Sequence, residues 1–517
     1  MLLRLVYFFI QKVLQFLNRI LPVPPTAIPV SNVVTASRLK EENVKALSTV
    51  LRRNAVSSLY CLEDDFKRTD FVEQVAARSL LNDLPNVVRG DHLAVRVKLF
   101  VRGGQRSVTV KSGVTAWLLR LFTPAPWVEE INFCKQFIAA GKSRPYGMQY
   151  AASVRFVIEE NGWWVNPWSD RDSAPVQIDC EKNLELPTVT DINYPIDLVY
   201  TWVDGDDPAW AERKDAALQG LGCDVPRRSA NRSRWENRNE LLYSLRSVAL
   251  FAPWIRHIYI VTDRQVPPWL HEEASEKIRI VDHRELFPAG AKLPTFNSHA
   301  IESVLHHIPD LSENFIYMND DFFFGAPTRP EDFFTVTGLS KVFFSTSLLP
   351  VGSPESREKA SEWGAMNVSA LLEEALGRVV RRKIKHTPLP IRRSVMREIE
   401  DRFPEAFARV RQAQFRSSQD IAPLTSFYVN YAIATGAAVN VNITYAYLDI
   451  GDPLAKRRIQ SFLRSRGRKV FCLNDTEEYE GGMSWEEKDG LVRYFLNSLY
   501  PWPSPWEKTV KRNHNES

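Results

Sequence analysis

Cysteine is scarce: Cys61, Cys134, Cys180, Cys223 and Cys472 are the only five among 517 residues, with no Cys-x-x-Cys spacing. An odd, scattered set argues against a disulfide framework and a structural zinc site, and favours a reducing compartment. Net charge is equally sparse at +4, so no whole-molecule field speaks for nucleic acid as a partner. Basic residues gather only locally, at Arg227 to Arg238 and Arg378 to Arg393. Each run reads either as a solvated face or as an anion site. No small-residue cleavage site follows the first 22 residues; Pro22, Pro24 and Pro25 come instead, which disfavours a secretory signal. Lys12 in the middle of that stretch disfavours a spanning helix. Arg4, Gln11, Lys12, Gln15, Asn18 and Arg19 line one helical face, so residues 1–25 are expected to form an amphipathic helix lying in a membrane surface. The expected location is cytoplasmic, at the inner face of the cell membrane.

What is present is globular: 44% hydrophobic and 25% charged residues, with length for two or three domains. Residues 26–190 alternate in strand fashion at Leu93 to Val101 and Ser107 to Val110, around the hairpin signal Gly103-Gly104. A second alternating run, Ser153 to Ile158, turns through Asn161-Gly162 into Trp163-Trp164. These patterns predict a smaller α+β accessory domain, in which Trp163, Trp164 and Trp168 either fill the core or stack on sugar rings.

From Asp191 the pattern changes to strands alternating with helices. Ile196 to Val203, His257 to Val261, Ile278 to Val281 and Phe315 to Met318 are apolar runs, each ending at or beside an acidic residue. Glu240 to Ala252 has helical spacing and stops at Pro253. The expected fold is α/β, a mostly parallel Rossmann-like, GT-A-like sheet with helices on both faces, its core split into residues 191–345 and 376–517. Residues 346–375 are polar and weakly periodic, and are expected to be an insertion or mobile loop.

Four acidic strand ends imply a polar crevice along the carboxyl edge of the sheet, suited to a nucleotide and a cation. Asn319-Asp320-Asp321 is its centre, read against the alternative of a simple strand cap. Hard carboxylates at Asp320 and Asp321, away from cysteine, select Mg²⁺ or Mn²⁺. Arg234, Arg238, Arg392 and Arg416 would offer forked donors to phosphate oxygens. His386, between cationic residues and held out of a helix by prolines, is the candidate to take a proton from an acceptor hydroxyl. Residue chemistry alone leaves open whether the anomeric carbon or the phosphorus is attacked.

Ile196-Asp197-Leu198-Val199-Tyr200-Thr201-Trp202-Val203-Asp204-Gly205 resembles the first conserved region of the Stealth family of sugar-phosphate transferases. Arg238 to Ser247, continuing through Ala252-Pro253-Trp254 to Asn319-Asp320-Asp321, resembles the second, His386 to Asp420 the third, and Cys472-Leu473-Asn474-Asp475 the fourth. The resemblance implies transfer of a hexose-1-phosphate, for example GlcNAc-1-phosphate, from a nucleotide-sugar to a hydroxyl of a polysaccharide or glycolipid in exopolysaccharide or capsule synthesis, with release of a nucleoside monophosphate. It carries Asp204, Glu240, Asp320, Asp321, His386, Arg392, Arg416 and Asp420 into the expected site. Arg238, Asn319 and Glu302 complete it as substrate-binding candidates, Glu302 for sugar hydroxyls. The rivals are a metal-dependent glycosyltransferase making a glycosidic bond and a catalytically silent glycan-binding protein. As for the amino-terminal helix, a chain beginning at residue 26 is expected to stay in solution when mixed with anionic vesicles that sediment the full chain; co-sedimentation of both removes the anchor.

Overall fold

The computed structural model describes residues 26–508 apart from 29–30, 65, 90, 92, 102–103, 111, 140–144, 147, 168–174, 178–187, 222–236, 272–275, 353–359, 466 and 476–481. The expected amino-terminal helix, Trp168, Arg234 and most of the basic run from Arg227 lie outside the described residues. The chain divides into two units, Met1–Thr188 and Val189–Ser517.

The first unit is built on a largely antiparallel sheet, in which Ala152–Glu160 pairs with Val128–Lys135 and that strand with Leu93–Val101. Leu93–Val101 pairs antiparallel with Gly104–Val110, as the hairpin signal implies, while Gly103 itself lies outside the described residues. Asn161 (φ 52) and Gly162 (φ 83) make the tight turn into Trp163–Val165, a left-handed pair that suits the twist of a two-residue hairpin. Helices Ala36–Arg53 and Ala76–Arg89 lay Leu47, Val50, Leu80, Leu84 and Val87 on Val95, Val97, Ile131 and Val154. Trp163 is exposed, while Trp164 is partly buried beside Phe71 and Val157, a core role at the sheet margin.

The second unit carries a five-stranded sheet. Its strands in chain order are β1 (Ile196–Thr201), β2 (Ile258–Thr262), β3 (Ile278–Asp282), β4 (Asn314–Asn319) and, after the short β5 (Phe322–Phe324), β6 (Leu389–Arg392). The spatial order is β3-β2-β1-β4-β6, with the first four strands parallel and β6 antiparallel. Alternation hides both faces: Val199, Phe315 and Tyr317 on one side and Leu198, Tyr200, Ile316 and Met318 on the other are all at most 1% exposed. Helix α1 (Glu240–Phe251) covers the Tyr200 face, where the Tyr200 hydroxyl and Ser244 Oγ lie 2.7 Å apart. The opposite face packs on the short α2 (Ser298–Glu302), on α3 (Ala360–Leu376), α4 (Arg393–Arg402) and α5 (Pro404–Gln412), and on a π-helical turn, Pro423–Tyr428. A second sheet joins β5 to β8 (Val470–Asn474), which lies beside β7 (Tyr445–Asp449).

The segment expected to be an insertion or loop is different. Residues 353–359 are not described, but α3 fills most of the rest and buries Trp363, Met366, Val368 and Leu372. Its weak periodicity has a packing cause at Gly364, where a Cβ would meet the Ala422 backbone nitrogen at 2.9 Å. The helix touches its neighbour by backbone there, so a glycine interrupts the apolar face formed by Trp363, Met366, Val368 and Leu372.

A cluster around buried His306 ties α4 and α5 to the turn Leu305–His307 ahead of β4. Glu400 Oε2 lies 2.6 Å from His306 Nε2 and 2.8 Å from His307 Nε2, and Glu400 Oε1 accepts from Arg411 Nη1 at 2.5 Å. These two histidines and Glu400 bring three ligand atoms within 4.8 Å. They are better read as a latch than a metal site: Arg411 already neutralises the carboxylate, and buried His306 Nδ1 lacks the acceptor that fixes a metal-bound ring. Burial pushes His306 down, to about 4 from its usual 6.5, while its bonds to the histidines and Arg411 hold Glu400 well below the usual carboxylate range. For His306 the unfolded chain takes up a proton below pH 6.5 that the folded chain resists, so stability falls on acidification through that window. The loss expected between pH 7 and 5 is about 2 kcal/mol. Thermal unfolding across that range should show a shallower pH slope in His306→Gln than in the unaltered chain; equal slopes would remove His306 as the cause.

Candidate active site

The parallel register sets the geometry. Thr201 is paired with Val261 and Asn319, and Thr262 with Asp282, so β1 to β4 finish level. The order of strand addition reverses at β1: the chain first builds outward through β2 and β3, then crosses to β4 on the other side of β1, and this is the switch point where open α/β sheets leave a crevice. There lies a cavity of about 280 Å³, lined by Thr201, Trp202, Arg238, Glu240, Asp263, Asn319, Asp320, Asp321, Arg416, Asn474 and Asp475 among others.

Three of these carboxylates are poorly compensated. Burial first, then Asp321, raises Asp320 to about 7. Burial also raises Asp321 to about 7, with a further push from Glu240 against a bond from the Cys472 thiol. Glu240 rises to about 8 through burial and Asp320. Asp321 Oδ1 has no hydrogen-bond partner, while its Oδ2 accepts from Cys472 Sγ at 3.4 Å. Carboxylates that are buried (Glu240) or half-buried (Asp320 and Asp321), that raise each other's pKa and that include an orphan oxygen form a donor set that a hard divalent cation satisfies. Their spacing is loose, since only the His306, His307 and Glu400 group closes to 4.8 Å among the described residues. Such looseness fits an ion held by one or two carboxylates, with water and substrate phosphates supplying the remaining ligands.

The strand ends are held from both sides. Tyr317 donates to Asn319 Oδ1 at 2.8 Å, and its hydroxyl is 3.1 Å from Thr201 Oγ1. The Leu473 amide donates to the Asp321 carbonyl at 3.0 Å, so β8 brings Asn474 and Asp475 beside the acidic pair.

A second cavity of about 260 Å³ shares Ser298, Asn319 and Arg416 with the first and adds Glu302, Arg382, Lys383, Lys385 and His386. β6 explains His386. Because Leu389 is paired with Tyr317 in an antiparallel ladder, the residues ahead of it emerge at the carboxyl edge. There the His386 ring lies 5.3 Å from Tyr447 and 6.5 Å from Phe322. It keeps solvent access at the mouth, while the recess and Lys383 lower its pKa, so it is neutral near pH 7. Glu302 is buried, accepts from the Leu424 amide at 3.3 Å, and is pushed up by burial against the pull of His299 and Arg416.

Other expected residues sit differently. The same antiparallel pairing that delivers His386 carries Arg392 away: it is paired with Asn314 at the amino end of β4, five residues or roughly 17 Å from the acidic edge. There Arg392 Nε faces Glu313 at 3.4 Å. Asp204 Oδ1 accepts from the Asp206 amide at 3.2 Å and caps a turn outside both cavity linings. Arg238 lines the first cavity, but its guanidinium is spent on Asp475 (2.9 Å) and Asp489 (2.6 Å), and its amide donates to Glu240 (2.7 Å). Asp420 acts at one remove: it accepts from Asn297 Nδ2 at 2.7 Å and from the Ser417 amide at 3.1 Å. That tie fixes the loop on which Arg416 Nη2 donates to Ser298 Oγ at 2.6 Å. Asp263 and Asp475 were not singled out for the site, although each follows an apolar strand, the signal used for Asp320.

The fold and its crevice define an α/β protein with an acidic, cation-ready site at the switch point of a parallel sheet. Residues 194–222, 234–342, 385–433 and 460–517 match Stealth protein conserved regions 1, 2, 3 and 4 in turn. The chain belongs to the Stealth family. It is 44% identical over 318 residues to an exopolysaccharide phosphotransferase of Streptomyces coelicolor, covering 62% of this chain and 53% of that one. With an exopolysaccharide phosphotransferase of Mycobacterium tuberculosis it shares 39% identity over 327 residues, 62% of this chain and 60% of the other. The chain thus spans only part of the length of these relatives. Among solved structures, mouse xyloside xylosyltransferase 1 aligns at TM-score 0.27 with 10% identity, over 54% of this chain and 97% of that one. The galactosyltransferase LgtC aligns at TM-score 0.28 with 11% identity, over 60% and 98%. No helix among the described residues is long and apolar enough to cross a membrane.

If the carboxylates hold a divalent cation, binding must compete with protons and strengthen as Asp320, Asp321 and Glu240 ionise through pH 7 to 8. Added Mg²⁺ or Mn²⁺ at 100 times its Kd should stabilise the chain by about 2.7 kcal/mol. The shift seen by thermal unfolding should be larger at pH 8 than at pH 6 and should be lost in Asp321→Asn. A metal shift that persists in that variant would rule out the assignment.

Proposed function

We propose that this protein transfers a hexose-1-phosphate from a nucleotide-sugar to a hydroxyl of a glycan acceptor during exopolysaccharide synthesis. The observation that carries this reading is the crowd of underscreened carboxylates at Glu240, Asp320 and Asp321, within the matched regions and beside Arg416. A metal-chelated diphosphate is a ligand that needs such a surface. Bound there by Asp320 and Asp321, Mg²⁺ or Mn²⁺ would neutralise charge on the diphosphate.

The chain's own residues then divide the work. Arg416, held by Ser298 and the Asp420-anchored loop, aims guanidinium donors at the boundary of the two cavities and stabilises the charge that develops on transferred phosphoryl oxygens. His386, neutral near pH 7, accepts the proton of the acceptor hydroxyl. The acceptor oxygen forms a bond to the phosphorus that carries the sugar. The bond from that phosphorus to the bridging oxygen breaks, and a nucleoside monophosphate leaves with the oxygen. The anomeric bond of the sugar is untouched. Glu302, buried in the lining of the second cavity, binds sugar hydroxyls.

Incubation with a panel of nucleotide-sugars, a glycan acceptor and Mg²⁺ should release nucleoside monophosphate and form a phosphodiester, detected by phosphorus NMR. Release of nucleoside diphosphate would replace this reading with glycosidic transfer. His386→Ala should lower kcat about 100-fold or more, in line with the loss of a positioned base; full activity in that variant would displace it from the role.

A further inference from the structure

The two adjoining cavities differ in charge. The first is lined by five carboxylates, Glu240, Asp263, Asp320, Asp321 and Asp475, against Arg238 and Arg416. The second holds Arg382, Lys383, Lys385 and Arg416 against Glu302 alone. A surface rich in carboxylates takes an anion only with a cation between them, whereas one rich in ammonium and guanidinium groups takes it bare.

Not every cation in the second cavity is available. Lys383 Nζ bonds to Glu362 at 2.7 Å, an internal pair that discounts it. Lys385 Nζ sits 5.0 Å from the Tyr445 ring centroid and 3.3 Å from Asn442 Oδ1, neutral partners that leave its charge uncompensated. Arg382 is exposed, and no ion pair is recorded for it among the described residues. Both stand on the strand Arg382–Ile384 or its continuation, a few residues ahead of His386. A solvated basic edge is the plain alternative for such residues, but these two line a cavity that also contains the proposed base. Tyr447, 38% exposed and in ring contact with His386, adds an aromatic face of the kind on which sugar rings stack.

Resting on the reading of this site as a sugar-phosphate transferase, we infer that the second cavity receives an acceptor glycan that is itself anionic, its charge held by Arg382 and Lys385 within reach of His386. The charge could be a phosphodiester, as in a growing sugar-phosphate chain, or the carboxylate of a uronic acid. Both present oxygens to the same donors, so the recognised chemistry is a glycan-borne oxyanion close to the hydroxyl that reacts.

The test uses the full chain and three disaccharide probes: maltose, a glucuronate-containing disaccharide, and two hexoses joined by a phosphodiester. Calorimetric binding, which needs no turnover, should favour at least one anionic probe over maltose by about 10-fold or more at low salt, the size of one charge-assisted hydrogen bond. That preference should shrink as salt rises and collapse in Arg382→Gln with Lys385→Gln. In turnover, the double variant should raise KM for the preferred anionic acceptor while leaving kcat and the nucleotide-sugar KM within about twofold. Preference for the phosphodiester or the glucuronate probe identifies the source of the charge. Equal affinity for maltose and both anionic probes overturns the inference, as does an unchanged preference in the double variant. Failure of the parent reading appears elsewhere, in the nucleotide released, and would not alter the binding comparison.

Discussion

Like charges forced together at the carboxyl end of a buried parallel sheet are the constraint on which the second unit depends. Asp320 and Asp321 follow a strand with no exposed apolar residue, and Glu240 opens the helix that covers the neighbouring face. None can withdraw without disturbing the layer beneath it. Burial first, and then mutual repulsion, raises their proton affinities, and one oxygen of Asp321 has no partner. A group of this kind costs stability in the empty protein, and such a cost persists where function supplies the missing counter-charge.

Around that centre, several residues work by holding others. Tyr317 steadies Asn319, Cys472 steadies one oxygen of Asp321, and Asp420 steadies the loop of Arg416. Arg238 is compensated within the protein by Asp475 and Asp489, so it serves as a brace between α1 and the carboxyl-terminal segment. The division between touching substrate and positioning what touches it is not written in residue type; an arginine can do either, and only its partners decide.

Much of the sheet was legible because strand periodicity and acidic ends are local signals. The four strands at Ile196, Ile258, Ile278 and Asn314 are present and parallel, Leu93–Val101 pairs antiparallel with Gly104–Val110, and the hairpin at Asn161-Gly162 forms where turn chemistry requires. Arg392 and His386 were harder, because one antiparallel strand sends them to opposite edges. Their separation of six residues in the chain says nothing about strand direction. Asp204 was the first of the four acidic strand ends, yet its Oδ1 accepts from an amide of its own turn. Helix α3 was hidden for a different reason: Gly364, where its backbone meets that of Ala422, interrupts the apolar face formed by Trp363, Met366, Val368 and Leu372.

The two cavities have a common wall in Ser298, Asn319 and Arg416. A wall made of side chains that both occupants touch is also a thermodynamic link between them. Any factor by which a ligand on the acidic side tightens or loosens binding on the basic side must be returned in equal measure. The order in which the two molecules arrive can therefore differ without changing the energy of the assembled complex, and a substitution at Arg416 alters that exchange from both directions at once.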